Sequence, residues 1–281
     1  MYKNIILTGI PRSGSTLSCN ILNHYSNTLA LLEPMNPSKL NIENNKSIAS
    51  LEVVQFIFES RKNILDNQCV ITRHKDGVVP TNPLEETMKN ALREAIVEVG
   101  NIKLENDFNN DFTLIVKHNA LFTSILDELV RFFPCYGIVR NPLSVLASWN
   151  TVNLPVNRGH IPAGEKFDFE LSTNLKNTPD ILNRQMIILE WFFSRFDKYL
   201  SIDNILKYED IIQTNGSVFS NLSYGESLNK SLEELENRNA NHLYADIDIE
   251  RLYLKIINTK GSFWKFYTKK DIDLVYLKMK E

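Results

Sequence analysis

A short loop with the chemistry of a phosphate site lies at residues 9–16, which read GIPRSGST. Its glycines and hydroxyl side chains have the spacing of the phosphate loop of nucleotide triphosphatases, except that Ser15 replaces the lysine. In those enzymes the lysine reaches the β- and γ-phosphates, so its loss weakens the case for triphosphate chemistry. Backbone amides at a helix N-terminus bind anions without it, and Arg12 adds a fixed positive charge. The loop therefore predicts an anion site and disfavours a nucleoside triphosphate.

Positively charged residues follow two other apolar runs of the chain. DFTLIVKH ends in Lys117 and His118, and CYGIVR ends in Arg140. A kinase or an ATPase needs a carboxylate at the end of a neighbouring strand to hold Mg²⁺, so these ends carry the opposite charge to a metal site. We therefore expect a highly charged anionic ligand that is bound without a metal.

Strands and helices are predicted to alternate between these motifs. Several apolar runs are almost continuous, as a parallel sheet buried on both faces requires, and the predicted strands are KNIILT, TLALLE, DFTLIVKH, CYGIVR and DNILKYED. Helical periodicity is present near residues 17–25, 84–99, 120–132, 142–150 and 180–200. This alternation predicts an α/β fold of three layers, α/β/α, with a central, mainly parallel sheet. Ligands of such folds bind at the carboxyl ends of the strands.

The composition is typical of one globular domain, which we expect to span residues 1–281. Of the 281 residues 43% are hydrophobic, and a net charge of −3 provides no overall basic field for nucleic acid or an anionic membrane. No apolar stretch approaches the roughly 20 residues of a membrane-spanning helix, and the first apolar run is too short for a signal peptide. Three scattered cysteines, Cys19, Cys69 and Cys135, lack metal-ligand spacing. We therefore expect a cytoplasmic protein with reduced thiols and no metal site.

Four motifs resemble the sulfotransferase family, which uses 3′-phosphoadenosine 5′-phosphosulfate. The stretch IVRNPLSVLASW, residues 138–149, resembles the 3′-phosphate motif of that family, an arginine at a strand end and a serine on the following helix. Here these residues are Arg140 and Ser148, eight positions apart. The stretch PRSGSTL resembles the loop that holds the 5′-phosphosulfate, and the ligands implied by this resemblance are Pro11, Arg12, Ser13, Gly14, Ser15, Thr16 and Leu17.

Two later motifs extend the resemblance toward the end of the chain. KYEDI is similar to the YED signature of the family, which implies that Tyr208 lies against the adenine. KGSFWKFYT, residues 260–268, resembles the late lysine-glycine loop, which implies that Lys260 and the amide of Gly261 bind the 3′-phosphate. The gap between this glycine and the following tryptophan is shorter than in the cytosolic enzymes.

The resemblance implies an enzyme that transfers a sulfuryl group in line to a hydroxyl or an amine and leaves adenosine 3′,5′-bisphosphate. The acceptor is expected to be a small molecule, a carbohydrate or a lipid-like metabolite. No motif matches the segments near residues 36–110 and 151–190, which are predicted to bind it. Two alternatives stay open, a P-loop kinase of a nucleoside or metabolite and a non-catalytic nucleotide-binding protein. The sequence predicts no oligomeric state.

Sulfuryl transfer needs positive charge beside the leaving oxygen and a base for the proton of the acceptor. Arg12 and Lys117 are predicted to supply the charge. Glu33 is the first candidate for the base, because a glutamate-proline pair 21 residues after Arg12 resembles the carbohydrate and tyrosyl-protein sulfotransferases. Its apolar neighbours predict a raised pKa, whereas an ion pair with Arg12 or Lys117 is the plainer alternative.

His118 is the second candidate for the base. It directly follows Lys117, one residue earlier than the strand-end histidine of the cytosolic sulfotransferases. A shift of one residue in an extended segment turns a side chain to the opposite face. We therefore favour Glu33 over His118, for which a buried, hydrogen-bonded structural role is the plainer alternative.

Overall fold

A computed structural model of the protein describes residues 3–40, 45–85, 92–224, 227–228 and 233–281. Its strands are β1 (Lys3–Gly9), β2 (Thr28–Leu32), β3 (Cys69–His74), β4 (Glu98–Lys103), β5 (Thr113–Lys117), β6 (Cys135–Val139) and β7 (Ile205–Lys207). Its α-helices are α1 (Ser15–Leu22), α2 (Lys46–Asn67), α3 (Asn119–Ser124), α4 (Leu126–Leu129), α5 (Pro142–Trp149), α6 (Pro162–Phe167), α7 (Phe169–Lys176), α8 (Ile181–Tyr199), α9 (Tyr208–Gln213), α10 (Ile249–Ile257) and α11 (Lys269–Lys280).

Five of these strands form a central sheet in the order β2-β5-β1-β6-β7, and every neighbouring pair is parallel. The inner strands are buried along almost their whole length, which is why their sequences are nearly continuous apolar runs. Ile5 and Leu7 belong to a hydrophobic core with residues of α1 and α9. Ile6 points to a second core with residues of α2, α3, α5 and α8. The predicted three-layer α/β/α fold with a parallel sheet is therefore confirmed.

The strand order opens a crevice between β1 and β5. The strand β1 leads into α1 on one face of the sheet, whereas its neighbour β5 leads into α3, whose residues belong to the core on the other face. Adjacent strands with connections on opposite faces leave room for a ligand beyond their carboxyl ends. Leu7 and Lys117 are register partners at this edge, and the His118 N–H donates to Leu7 O over 3.1 Å.

The segment between β2 and β5 differs most from the sequence-based predictions. The helix predicted for residues 84–99 is wrong where the chain is described, because Leu84 pairs with Ala95 in an antiparallel bridge and β4 begins at Glu98. Residues 86–91 of that helix lie outside the described residues. The hairpin of β3 and β4 and the long helix α2 were not predicted. Pairing in bridges and with β3 has here overridden the local helical periodicity.

The helices beyond β5 follow the predictions more closely. The helix predicted for residues 120–132 is divided into α3 and α4 at Ile125, whose φ of −116° is not helical. The Asn141 side chain accepts from the Leu143 amide and Pro142 occupies the first turn of α5, so that helix begins as predicted. In the described ranges no helix is long and apolar enough to cross a membrane.

Candidate functional site

A cavity of about 830 Å³ lies at the carboxyl edge of the central sheet, a volume typical of small-molecule sites. The residues that follow each of the five parallel strands contribute to its wall. Of the residues predicted from the sequence, those that line it are Pro11, Arg12, Gly14, Ser15, Thr16, Leu17, Glu33, Lys117, His118, Arg140 and Tyr208. Ser13, Ser148, Lys260 and Gly261 are not among the lining residues.

The loop between β1 and α1 presents free backbone amides to this cavity. Gly14 is the N-cap of α1 with a φ of +88°, and it has no side chain to accept from the first turn. The first intrahelical bond is the one from the Ser18 N–H to Gly14 O, so the amides of residues 15–17 have no partner within the helix. Free amides at the positive end of a helix are an anion-binding arrangement.

Gly14 is closely covered by Tyr208 at the start of α9. A Cβ on Gly14 would lie 2.7 Å from Tyr208 Cδ2, so the ring leaves no room for a side chain. Two bonds hold the Tyr208 hydroxyl, which donates to Glu236 O over 3.3 Å and accepts from the Arg238 N–H over 3.0 Å. The glycine is therefore needed both for the left-handed backbone and for the approach of Tyr208.

Replacing Gly14 with alanine is expected to destabilise the protein more than the same change at Gly77. Both glycines have a left-handed backbone, with φ of +88° and +84°, so alanine costs about 1–2 kcal/mol at either position. Only Gly14 adds a collision, because nothing lies within 4 Å of a Cβ at Gly77. The Gly14 variant should therefore lose roughly 1–3 kcal/mol more of its unfolding free energy than the Gly77 variant, a difference that urea unfolding measures. Equal losses of stability in the two variants would show that the Tyr208 ring moves aside without a cost in free energy.

Two predicted hydroxyl ligands, Ser13 of the loop and Ser148 of α5, lie deeper than the cavity wall. Ser13 is completely buried, and its Oγ, which has no partner, lies 3.1 Å from where a Cβ on Gly9 would be. Ser148 is also buried, on the last turn of α5. Its Oγ accepts from Arg12 Nε over 3.2 Å, so Ser148 reaches the cavity only through that guanidinium.

Arg12, which is half-buried, and Arg140, which is buried, form the centre of a positive cluster. Arg12 has a left-handed φ of +71°, which is uncommon for a residue with a side chain and is a typical sign of a functional loop. Arg140 Nη1 donates to Arg12 O over 3.0 Å, so the end of β6 holds the loop in place. Burial, Arg93 and Arg140 lower the pKa of Arg12 to about 9. A positive cluster that is partly shielded from solvent favours binding of an anion.

The segment of residues 233–244 closes over this cluster and was not recognised from the sequence. Arg140 donates from Nε to Asn239 Oδ1 over 2.7 Å and from Nη2 to Arg238 O. The guanidinium also lies over the Tyr208 ring, 4.4 Å from its centroid. The segment is polar and has no helical or strand periodicity, so only contacts between distant parts of the chain place it here.

Glu209 connects the elements that surround Arg140. Its Oε1 accepts from the Asn141 N–H over 3.0 Å and from Asn239 Nδ2 over 2.7 Å. Its Oε2 accepts from the Tyr267 hydroxyl over 2.7 Å. The middle residue of the YED motif is therefore a positioning carboxylate that joins the ends of β6 and β7 to the segment of residues 233–244.

Glu33 and Lys117 form a short ion pair, 2.7 Å from Lys117 Nζ to Glu33 Oε1. Glu33 follows β2 with a left-handed φ of +41°, and its N–H donates to Lys117 O. Burial acts to raise the pKa of Glu33, but Lys117, His118 and Arg73 outweigh burial and lower it to about 2. The prediction of a raised pKa is therefore wrong, because the apolar neighbours matter less than the cation on the adjacent strand.

His118 lies beside this pair as a neutral imidazole. Its Nε2 lies 3.3 Å from Met35 O, a carbonyl that can only accept, which assigns the ring proton to Nε2. Its Nδ1 is buried and has no hydrogen-bond donor. Burial lowers the pKa of His118 to about 4, and Lys117 and Arg73 act in the same direction. The imidazole thus keeps a free lone pair above that pH.

Lys260 and Gly261 are placed away from the cavity. A Cβ on Gly261 would lie 2.6 Å from Glu190 Oε2 on α8. The Ser262 amide and hydroxyl, which follow the glycine, both donate to the Glu190 carboxylate over 2.7 Å. The structure therefore gives no support to the prediction that this loop binds a phosphate, because neither Lys260 nor Gly261 lines the cavity and the Glu190 carboxylate lies against the loop.

Two clusters of charged groups lie in the cavity, which is also lined by Glu233, Glu234 and Glu236. The anion cluster consists of Arg12, Arg93, Arg140 and Arg238, and the proton-transfer cluster consists of Glu33, Lys117, His118 and Arg73. Among the described residues, no group of three or more His, Cys, Asp or Glu side chains could hold a metal ion.

Comparisons with known proteins provide a distant structural likeness. No protein-family model matches the chain, and no curated protein matches it. Among solved structures, the chain is similar to the sulfotransferase STF1 from Mycobacterium tuberculosis, with 10% identity and a TM-score of 0.34. The alignment covers 99% of this chain and 76% of that protein.

Proposed function

We propose that this protein is a sulfotransferase that moves the sulfuryl group of 3′-phosphoadenosine 5′-phosphosulfate to a hydroxyl or an amine of a small acceptor. One observation carries the proposal: a single cavity contains both an anion cluster and the Glu33–Lys117 pair. A nucleotide with phosphate groups at two positions of its ribose presents separate anionic groups to such a cavity. A triphosphate kinase is a poorer fit, since Ser15 replaces the loop lysine.

The residues present fit this nucleotide. The amides of residues 15–17, which have no partner within the helix, are donors for a phosphate at the N-terminus of α1. We assign the 5′ group to these amides with the hydroxyls of Ser15 and Thr16. We assign the 3′-phosphate to Arg140 and Arg12, with Ser148 holding the Arg12 guanidinium. Tyr208, which is buried between these two sets of ligands, is a proposed contact of the adenine.

The chemistry of the chain itself lies in the proton-transfer cluster. The nucleotide supplies the sulfuryl group when it is bound. Lys117 places a buried positive charge at the edge of the sheet, where charge on a leaving oxygen is best neutralised. Glu33 is ionised at neutral pH because its pKa is lowered, and it is the proposed acceptor of the proton. His118 Nδ1 is the alternative acceptor.

The far part of the cavity wall suggests an acceptor with an apolar portion. Leu154, Val156 and Ile161 line it from the segment between α5 and α6, and Leu84 lines it from the segment between β3 and β4. These residues lie within the two segments that the sequence left unmatched. A compact alcohol, phenol or amine with an apolar body is the proposed acceptor class.

Calorimetry with adenosine 3′,5′-bisphosphate tests the proposal. Binding is expected in the micromolar range or tighter, and excess EDTA should not change it because the ligands are side chains and amides. ATP with Mg²⁺ is the comparison ligand for the kinase alternative. If the bisphosphate does not bind while ATP binds only in the presence of Mg²⁺, the sulfotransferase proposal is rejected in favour of the kinase.

A further inference from the structure

Arg93 is a buried arginine of the cavity to which no motif of the sequence points. It lies between β3 and β4, and its side chain reaches the end of α5. Its backbone is fixed there, because the Arg93 N–H donates to Thr151 O over 3.1 Å and Arg93 O accepts from the Asn153 N–H over 3.0 Å. Its Nη2 donates to Thr151 Oγ1 over 2.9 Å. Thr151 Oγ1 in turn donates to Ser148 O, so Arg93 is anchored next to Ser148.

The guanidinium of Arg93 lacks the partners that other buried arginines have. Arg93 is only 4% exposed, it lines the cavity, and its Nε is buried without any hydrogen-bond acceptor. Arg61, which is 2% exposed, instead donates from Nε to Asn4 Oδ1 and from Nη2 to Phe112 O over 2.8 Å each. A buried charged donor without an acceptor is costly, which indicates a missing anionic ligand.

The charged neighbours of Arg93 indicate where such an anion would bind. The charged or titratable groups that act most on Arg93 are Tyr244, Arg238 and Arg140, and Arg93 is itself the strongest charged neighbour of Arg12. Burial is the largest effect and lowers the pKa of Arg93, and Arg238 and Arg140 lower it further. Arg238 and Arg140 belong to the anion cluster and line the same cavity as Arg93, so an anion bound between these arginines would supply the missing acceptor.

We propose that Arg93 binds the 3′-phosphate of the nucleotide together with Arg140, and that it takes the place that the resemblance assigned to Lys260 and Gly261. This inference rests on the proposed function, since it concerns the second phosphate of the same ligand. A phosphate dianion accepts from several guanidinium groups at once, which offsets their mutual repulsion. Arg93 thus selects nucleotides with a 3′-phosphate over nucleotides without it.

Calorimetry with two nucleotides tests this role. Adenosine 5′-monophosphate lacks the 3′-phosphate and otherwise matches adenosine 3′,5′-bisphosphate. Arg93→Gln is expected to weaken binding of the bisphosphate by about 10-fold to 100-fold, the range of a lost charge-assisted hydrogen bond, and to change the monophosphate affinity less than threefold. Arg93→Lys keeps the charge and should show a smaller loss of the same selectivity. Arg61→Gln is the control for a buried arginine outside the cavity.

The outcomes separate this inference from the proposed function. If the wild-type protein does not bind the bisphosphate, the proposed function fails first. If the wild type binds it and the folded Arg93 variants bind it equally well, the role of Arg93 is rejected while the function stands. An equal loss for both nucleotides also rejects the role, because it indicates a general effect on the cavity. Should Arg93→Gln not fold, the role of Arg93 is decided by Arg93→Lys alone, from its loss of affinity for the bisphosphate relative to the monophosphate.

Discussion

Turnover is expected to fall by about 10²–10⁴-fold when Glu33 is replaced by glutamine, the range measured for loss of a general base. Glutamine keeps the size of the side chain but cannot accept a proton from the acceptor. Adenosine 3′,5′-bisphosphate should bind at least as tightly as before, since the variant frees Lys117 from its short ion pair with Glu33. The measurement is the kcat for sulfated product, with an acceptor found by screening alcohols, phenols and amines.

His118→Asn is the matched comparison for this variant. Asparagine removes the free imidazole lone pair beside Glu33 but retains a group that can donate to Met35 O. If Glu33 is the base, this change lowers kcat less than tenfold. The reverse pattern, in which Glu33→Gln keeps its turnover and His118→Asn loses it, would transfer the role of base to His118.

Replacing Arg140 with methionine is expected to weaken binding of adenosine 3′,5′-bisphosphate by about 100-fold, the effect of losing strong charge-assisted hydrogen bonds. Arg140 is buried at the end of β6 and holds Arg12 O and Asn239 Oδ1. The variant therefore loses a cation of the anion cluster and also loosens two segments that cover the cavity. Calorimetry gives the affinity, and thermal unfolding gives the accompanying loss of stability.

Arg61→Met is the control that separates binding from stability. Arg61 is also buried, donates to backbone carbonyls and lies over an aromatic ring, with its guanidinium 4.0 Å from the centroid of Phe112. It is located at the opposite edge of the sheet, beside Lys3 O at the start of β1. Its variant should lose comparable stability but keep the bisphosphate affinity. A loss of affinity in both variants would show that Arg140 acts only through folding.

Most of the sheet and one edge of the cavity could be predicted from the sequence. Strands buried on both faces need nearly continuous apolar runs, so β1, β2, β5 and β6 were predicted from their residues. The short strand β7 lies within the fifth predicted run, DNILKYED, although only its middle residue is buried. Parallel strands place their carboxyl ends at one edge, and the residues after them therefore meet. Lys117 and Arg140 could be assigned to one cavity for this reason, before any contact between them was known.

The tertiary structure decided the features that depend on residues far apart in sequence. The pKa of Glu33 is lowered because the neighbouring strand brings Lys117 to 2.7 Å, an effect that apolar neighbours in the sequence do not reveal. Lys260 does not line the cavity, and Ser262 of its loop donates to Glu190 of α8 instead. Arg93 enters the cavity because its segment pairs with Val152.

These features share a physical cause. Local periodicity reports which side of an element is buried, and it therefore predicts strands, helices and the edge at which they end. It contains no information on the electric field produced by side chains from other segments. The chain by itself thus determined the edge of the sheet at which these residues meet, and only the packing of distant segments decided which arginines gather there and which carboxylate stays ionised beside Lys117.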